Sequence, residues 1–397
     1  MKVYIVGIGM DGDKTITREA EAAIAEAQLL MGAERMLGPF SQLGKEMFSS
    51  YLPQDIAAEI SSCGYGCAAV LMSGDCGFFS GAKKLLPLLD GHDVRVIAGI
   101  SSAAYFCSKV GLSYEQMKFV TLHGRNSNIA INVKMNELCF FLLGGDMTAA
   151  DVCRRLCDYG MGDVKVYIGA DLSYPTERII SGKAAELTES NVDGLAVMIT
   201  ENCEALGHIP SAISDEEFLR EKIPMTKSEV RCIAVSRLNI CADSVVWDIG
   251  CGTGSVSVEA SYRCPDGKVY AFDKKSEAVS LTSENARKFG SDNIIAGCGG
   301  CPECLTDAQA PDKVFIGGSS GNISGIFAAV YEKKTKADIA VTAVSLETLS
   351  DTVRCFEKYG VSPEIVQIAV SRTEKLGSHT MLKAQNPVFI ISGGLSS

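Results

Sequence analysis

The sequence predicts a two-domain α/β protein, and three observations carry that expectation. The 397 residues, 47% apolar and 21% charged, exceed one ordinary domain and are enough to bury two cores. Short apolar runs alternate with helix-length spacers in both halves, the pattern of sheets covered by helices. One polar stretch, residues 203–222, interrupts the alternation, and a fresh helix-start signal follows it.

In the first half, residues 3–8 read as a buried strand, followed by a glycine loop and a helix over 17–30 that is rich in Ala and Glu. Strand-like runs recur at 68–72, 94–98, 138–143 and 164–168, and 149–159 reads as a helix. This places a first domain over 1–203. The linker is expected at 204–222, which contains Gly207, Pro210 and the acidic run Asp215-Glu216-Glu217.

The second domain, 223–397, opens on Thr226-Lys227-Ser228-Glu229, which fits a capping box, with Val230, Ile233, Ala234 and Leu238 lining one helical face behind it. Strands follow at 244–247, 269–272, 314–316 and 338–344. Two more, 365–370 and 388–391, are separated by a polar stretch without helical pattern and read as an antiparallel pair closing a mostly parallel sheet.

A formal charge of −11 speaks against a broad nucleic-acid footprint, which needs clustered Lys and Arg. A small polyanionic substrate needs only a local basic pocket. The first residues pass from a short apolar run straight into a glycine loop, unlike a signal peptide, and nothing approaches the ~18 to 20 apolar residues of a membrane span, so a cytoplasmic protein is expected. The sixteen cysteines then read as reduced, small, buried residues. Within them, Cys298-x-x-Cys301-x-x-Cys304 has metal-ligand spacing. A fourth ligand is not evident nearby, although Cys264 or a more distant thiol could serve, and the alternative is simple tolerance of cysteine. No metal is expected.

The sharpest local signal runs from Val245 through Trp247-Asp248-Ile249-Gly250-Cys251-Gly252-Thr253-Gly254 to Ser255, an apolar strand, a glycine turn and a helix. Glycines let the backbone approach a ligand and adopt dihedrals a side chain forbids. A dinucleotide site favours Gly-x-Gly-x-x-Gly, because the helix N-terminus must accept a pyrophosphate. The Gly-x-Gly-x-Gly spacing here, with Asp248 before it, suits S-adenosylmethionine, which has no phosphate and carries a cationic methionyl end. The next strand ends at Asp273, where a carboxylate can accept both ribose hydroxyls.

This signature resembles class I (Rossmann-like) S-adenosylmethionine methyltransferases. With Pro224-Met225-Thr226-Lys227, Phe315-Ile316-Gly317-Gly318-Ser319 and Asn386-Pro387-Val388-Phe389, the second half is similar to the decarboxylating C-15 methyltransferases of corrin synthesis. The resemblance implies that Asp248, Gly250, Gly252, Gly254 and Asp273 hold the cofactor and that Met225, Thr226, Lys227, Gly317 and Gly318 border the substrate cleft; Thr226 also reads as a helix cap. Where that family usually reads Gly-Asp-Ala-Pro-Glu, this chain has Gly299-Gly300-Cys301-Pro302-Glu303, so an acid near the adenine is missing.

In the first half, Gly7-Ile8-Gly9-Met10-Asp11-Gly12 is a weak signal alone. Gly74 and Asp75 in 70–79, Ser101 and Ser102 in 98–102, His123 and Arg125 in 122–125, and the run 169–178 strengthen it. Together they resemble the tetrapyrrole methylase family, in its C-5 corrin branch, over about residues 1–200. That implies a two-lobed domain in which Gly74, Asp75, Ser101 and Ser102 contact S-adenosylmethionine, while Gly7 and Gly9 face the substrate. Arg125 would pair with a substrate carboxylate, and a purely structural loop is the other reading of His123 and Arg125.

Both resemblances together imply a fused methyltransferase that adds methyls at C-5 and C-15 of a precorrin or cobalt-precorrin and removes a ring carboxylate. The partner is a small tetrapyrrole, with no nucleic acid or membrane, in a homo-oligomer. The rival readings are a nicotinamide-dependent oxidoreductase, disfavoured by glycine spacing, and a tetrapyrrole-binding chaperone on the same fold. An RNA methyltransferase would need a basic face.

Overall fold

A computed structural model describes residues 1–123, 127–145, 147–190, 192, 194–334 and 336–394. The chain divides into two compact units that are not simple sequential halves. The first comprises Met1–Arg125, Leu138–Asp151 and Lys165–Glu201, and the second Asn126–Glu137, Val152–Val164 and Asn202–Ser397.

The first unit holds two five-stranded sheets. One is wholly parallel: β1 (Lys2–Gly7), β2 (Leu29–Gly32), β3 (Glu46–Ser49), β4 (Cys67–Met72) and β5 (Asp93–Ile97), in the order β3-β2-β4-β1-β5. β1, β2 and β4 are buried almost throughout, as strands covered on both faces must be. The second sheet is mixed: β6 (Lys118–Thr121), β7 (Leu138–Leu142), β8 (Lys165–Ala170), β9 (Arg178–Lys183) and β10 (Ala196–Glu201), in the order β6-β7-β10-β8-β9, with only β6 and β7 parallel.

The second unit is built on one seven-stranded sheet. Its strands are β11 (Val245–Ile249), β12 (Lys268–Asp273), β13 (Ile294–Cys298), β14 (Lys313–Ile316), β15 (Asp338–Ala343), β16 (Glu364–Ile368) and, after a separate hairpin of β17 (Ser371–Leu376) and β18 (His379–Ala384), β19 (Val388–Gly394). The order is β13-β12-β11-β14-β15-β19-β16, with β19 antiparallel to both neighbours. One core cluster packs Trp247, Ile249, Val314, Ile316, Phe327 and Phe356 together. The order reverses direction between β11 and β14, the switch point at whose carboxyl ends open α/β sheets bind ligands. Both units are therefore α/β, and no helix among the described residues is long and apolar enough to cross a membrane.

Four expectations are corrected. The helix over 17–30 stops early: it runs Arg18–Glu26, capped by Thr17, whose hydroxyl accepts the Ala20 N–H at 3.2 Å. Leu29 and Leu30 belong instead to β2, buried between β3 and β4, because cross-strand pairing outweighs helical propensity there. The capping box at 226–229 does not form. Lys227 is the N-cap, without a side-chain bond, and the Ser228 N–H is satisfied by Asp215 Oδ1 at 3.0 Å.

That contact also changes the picture of residues 204–222. Ile213, Asp215 and Phe218 are buried within the second unit, so part of the stretch read as linker is seated on the fold. Finally, the polar stretch before β19 is the β17–β18 hairpin, whose exposed residues gave no burial pattern to read.

Candidate active site

In the second unit a cavity of about 560 Å³ opens at the carboxyl ends of the parallel strands. The glycine turn after β11 forms its floor. Gly250 has φ +76°, and a Cβ there would fall 2.6 Å from the Gly318 amide nitrogen, so the loops after β11 and β14 meet backbone to backbone. A Cβ on Gly252 would meet the Pro224 carbonyl at 2.7 Å, which seats the 223–227 segment directly over the turn. Glycine is thus demanded by the protein's own packing as well as by ligand approach.

Asp273 lies on the cavity wall. Its Oδ2 accepts the Gly252 N–H at 3.1 Å and its Oδ1 the Lys275 N–H at 3.0 Å. One backbone donor on each oxygen leaves further lone pairs for a diol.

Asp248 is placed differently from expectation. It is fully buried beneath the turn and does not line the cavity. Its Oδ2 accepts the Ser257 hydroxyl, and its Oδ1 has no hydrogen-bond partner. Burial pushes its pKa up to about 7, against the lowering effect of the Ser257 bond. Gly254 is also off the wall, packed on Thr282.

Met225, Thr226, Lys227, Gly317 and Gly318 all line the cavity. The segment around Thr226 is held from behind by a buried ionic network. Arg231, fully buried, gives Nε to Glu259 at 2.7 Å, one terminal nitrogen to Asp215 at 3.2 Å and to the Thr226 carbonyl at 2.7 Å, and the other to the Ile213 carbonyl. From β17, Arg372 adds bonds to Asp215 at 2.9 Å and Glu229 at 2.6 Å. The Arg372 contact lowers the Glu229 pKa. Within this network Arg231 is paired with both Asp215 and Glu259, as burial of charge requires.

Lys274 and Lys275 join Lys227 on the wall, and Asp273 is the only carboxylate among the described lining residues. An acidic chain therefore carries a locally cationic cavity. Opposite, Val344, Ile368, Val370 and Val388 form an apolar side. Sequence reasoning missed Lys274 and Lys275, although their place directly after Asp273 was the available signal.

In the first unit a cavity of about 320 Å³ is lined from both sheets. Of the expected residues, Ser102 and His123 line it. Gly7, Gly9, Gly74, Asp75 and Ser101 do not, because they join the strand-end loops to one another. Gly9 and Gly74 exchange two backbone bonds, of 3.1 and 2.6 Å, Asp75 accepts the Gly99 N–H at 2.9 Å, and Ser101 caps the helix Ser102–Val110. A Cβ on Gly7 would lie 2.7 Å from the Gly99 nitrogen. Arg125 lies outside the described residues.

Arg35, unmarked by any sequence pattern, and Tyr174, within the run 169–178 that the sequence singled out, add polar groups to the wall. Arg35 donates to the Tyr174 hydroxyl at 2.8 Å and to Ser73 at 3.3 Å, and Tyr174 donates to the Met10 carbonyl at 2.7 Å.

Among the described residues no three His, Cys, Asp or Glu side chains gather to hold a metal. Cys298 is exposed, while Cys301 and Cys304 are half-buried.

Two family profiles match the chain: the tetrapyrrole (corrin/porphyrin) methylases over residues 2–188 and the precorrin methyltransferase domain over 217–393. A probable cobalt-precorrin-6B C(15)-methyltransferase (decarboxylating) of Pyrobaculum calidifontis is 42% identical over 183 residues, covering 45% of this chain and 94% of that protein. The protein of the same name from Saccharolobus solfataricus is 41% identical over 192 residues, or 47% and 96%. The solved precorrin-6y C5,15-methyltransferase of Geobacter metallireducens is 37% identical, covers 47% of this chain and 98% of its own, and has a TM-score of 0.44.

Proposed function

The chain belongs to the precorrin methyltransferase family, and from that premise we propose that it is bifunctional, methylating C-5 and C-15 of a precorrin-6B or cobalt-precorrin-6B macrocycle and decarboxylating its C-12 acetate. In this reading residues 1–203 carry the C-5 step and 223–397 the C-15 step with decarboxylation. The observation that carries it is the cationic cavity of the second unit. A glycine turn and Asp273 stand beside Lys227, Lys274 and Lys275 in a chain of net charge −11. Such a wall suits a substrate rimmed with carboxylates better than a neutral one.

The residues present fit S-adenosylmethionine. Asp273 keeps acceptor capacity on both oxygens, and the cavity, about 560 Å³, falls within the range for small-molecule sites. When bound, the cofactor would supply an electrophilic sulfonium methyl. The protein's task is then alignment and solvent exclusion, because a conjugated tetrapyrrole carbon is already nucleophilic and the iminium-like macrocycle can take up the electron pair left when the acetate loses carbon dioxide. The lysines hold spectator carboxylates. An acetate seated on the apolar side formed by Ile368, Val370 and Val388 would be poorly solvated, which favours loss of carbon dioxide. In the first unit Arg35 offers a guanidinium to a carboxylate of the same macrocycle.

The test is mass spectrometry of purified protein with S-adenosylmethionine and the precorrin-6B substrate, with and without cobalt. Two methyl additions and one loss of carbon dioxide are expected. No mass change with either form, while S-adenosylhomocysteine binds and NADH does not, would rule out this acceptor and leave a methyltransferase of another substrate.

A further inference from the structure

The Cys301–Cys304 pair is used by neither reaction, yet it sits at the cavity. Cys301, with Gly299 and Gly300, lines the wall. Its Sγ lies 2.8 Å from Cys304 Sγ, and both residues are free and half-buried. A disulfide needs about 2.05 Å between sulfurs, so closing the bond requires only a small movement. Cys298, the third cysteine of the run, is directed elsewhere, 3.8 Å from the Lys274 carbonyl.

The pair is mechanically joined to the wall. Cys304 N–H donates to the Gly300 carbonyl at 3.0 Å, and a Cβ on Gly299 would fall 2.8 Å from Cys304 Cβ. Gly299 N–H in turn donates to the Asp273 carbonyl at 3.0 Å. Any displacement of the two sulfurs is thereby passed to residues 299–301 and to the strand end that presents Asp273.

We propose that Cys301 and Cys304 form a reversible dithiol–disulfide site, oxidised by small-molecule disulfides, whose closure weakens cofactor binding in the adjoining cavity. The gating rests on the reading that this cavity takes S-adenosylmethionine; the disulfide itself does not. One thiolate attacks the reagent disulfide R–S–S–R and releases R–SH. The second attacks the resulting mixed disulfide and releases another R–SH. Two thiols thus become one disulfide, and the reagent takes up the two electrons and two protons. Burial raises the pKa of both thiols, so exchange is slow at neutral pH and faster in alkali.

The full chain is equilibrated without oxygen in oxidised and reduced glutathione, alkylated, digested with trypsin and analysed by mass spectrometry. The peptide 289–313 contains all three cysteines of the run. It should lose two hydrogens, with fragments assigning the bond to Cys301 and Cys304. Cys298→Ser should behave like the parent, whereas Cys304→Ser should stop at a glutathione adduct. Calorimetric titration with S-adenosylhomocysteine should show the oxidised protein binding about tenfold more weakly, equivalent to ~1.4 kcal/mol, with recovery on reduction. A bond that involves Cys298, no bond in fully oxidised buffer, or equal affinity of the two forms would each overturn the proposal. If the reduced protein fails to bind S-adenosylhomocysteine at all, the cofactor reading and the gating fall together, and the mass result still decides the disulfide.

Discussion

Replacing Asp248 by Asn should make the protein more stable at alkaline pH, an unusual outcome for an acid in a glycine-turn motif. Asp248 is fully buried, with one oxygen unpartnered, and its pKa rises from 3.8 to about 7 on folding. Because the folded value is the higher one, the folded state holds the extra proton between about pH 4 and 7. The associated stability is complete below the unfolded value and is lost as pH rises through the folded value, at up to ~1.4 kcal/mol per pH unit. The full shift corresponds to at most about 4 kcal/mol, and local relaxation should leave roughly 2 to 4 kcal/mol.

Asn can still accept from Ser257 and carries no charge to desolvate. Trp247 is the only tryptophan, is buried in the neighbouring position of β11, and reports unfolding of that sheet by fluorescence. Urea titrations of parent and Asp248→Asn at pH 5.5 and 8 should show the variant gaining on the parent as pH rises. Equal differences at the two pH values would refute the buried-carboxyl argument.

Four further outcomes follow from the geometry. Gly250→Ala places a methyl group 2.6 Å from the Gly318 nitrogen at φ +76° and should cost roughly 2 to 4 kcal/mol as well as S-adenosylhomocysteine binding. Gly318→Ala, whose Cβ meets nothing nearer than 3.9 Å, should match the parent in thermal melts that show the Gly250→Ala loss. Asp273→Asn removes the only carboxylate on the described wall and should weaken S-adenosylhomocysteine binding by about 10- to 100-fold, as expected for lost charge-assisted bonds, with little change in melting temperature. Arg35→Ala should leave C-15 methylation and decarboxylation intact while suppressing the other methyl addition; a product mass unchanged from the parent would remove Arg35 from the first-unit site.

Much of the second unit was legible because its signals are local. A strand buried on both faces needs continuous apolar residues, and Val245 to Ile249 have them. A turn with positive φ needs glycine, and an acid at a strand end stands out against an apolar run. Asp273, Gly250 and Gly252 were found that way. The β17–β18 hairpin was not, since its residues are exposed on both faces and no burial period exists to read. Gly7, Gly9 and Gly74 in the first unit also stood out in the sequence, but they lie off the cavity, and their part in loop-to-loop contacts depends on backbone approach between distant strand ends.

By itself, then, the sequence determined the two α/β units, the glycine turn and the acid that follows it, because propensity, periodicity and φ preference act over a few residues. Tertiary structure alone decided which charges meet. Asp215, in an acidic run that read as linker, is buried against Arg231 and satisfies the start of the helix at Ser228. Arg35 reaches Tyr174, 139 positions away along the chain, and Asp248 lies beneath the cavity rather than on its wall. Electrostatic partnership and desolvation depend on distance in space and on exclusion of water, and neither is written in the spacing of residues along the chain.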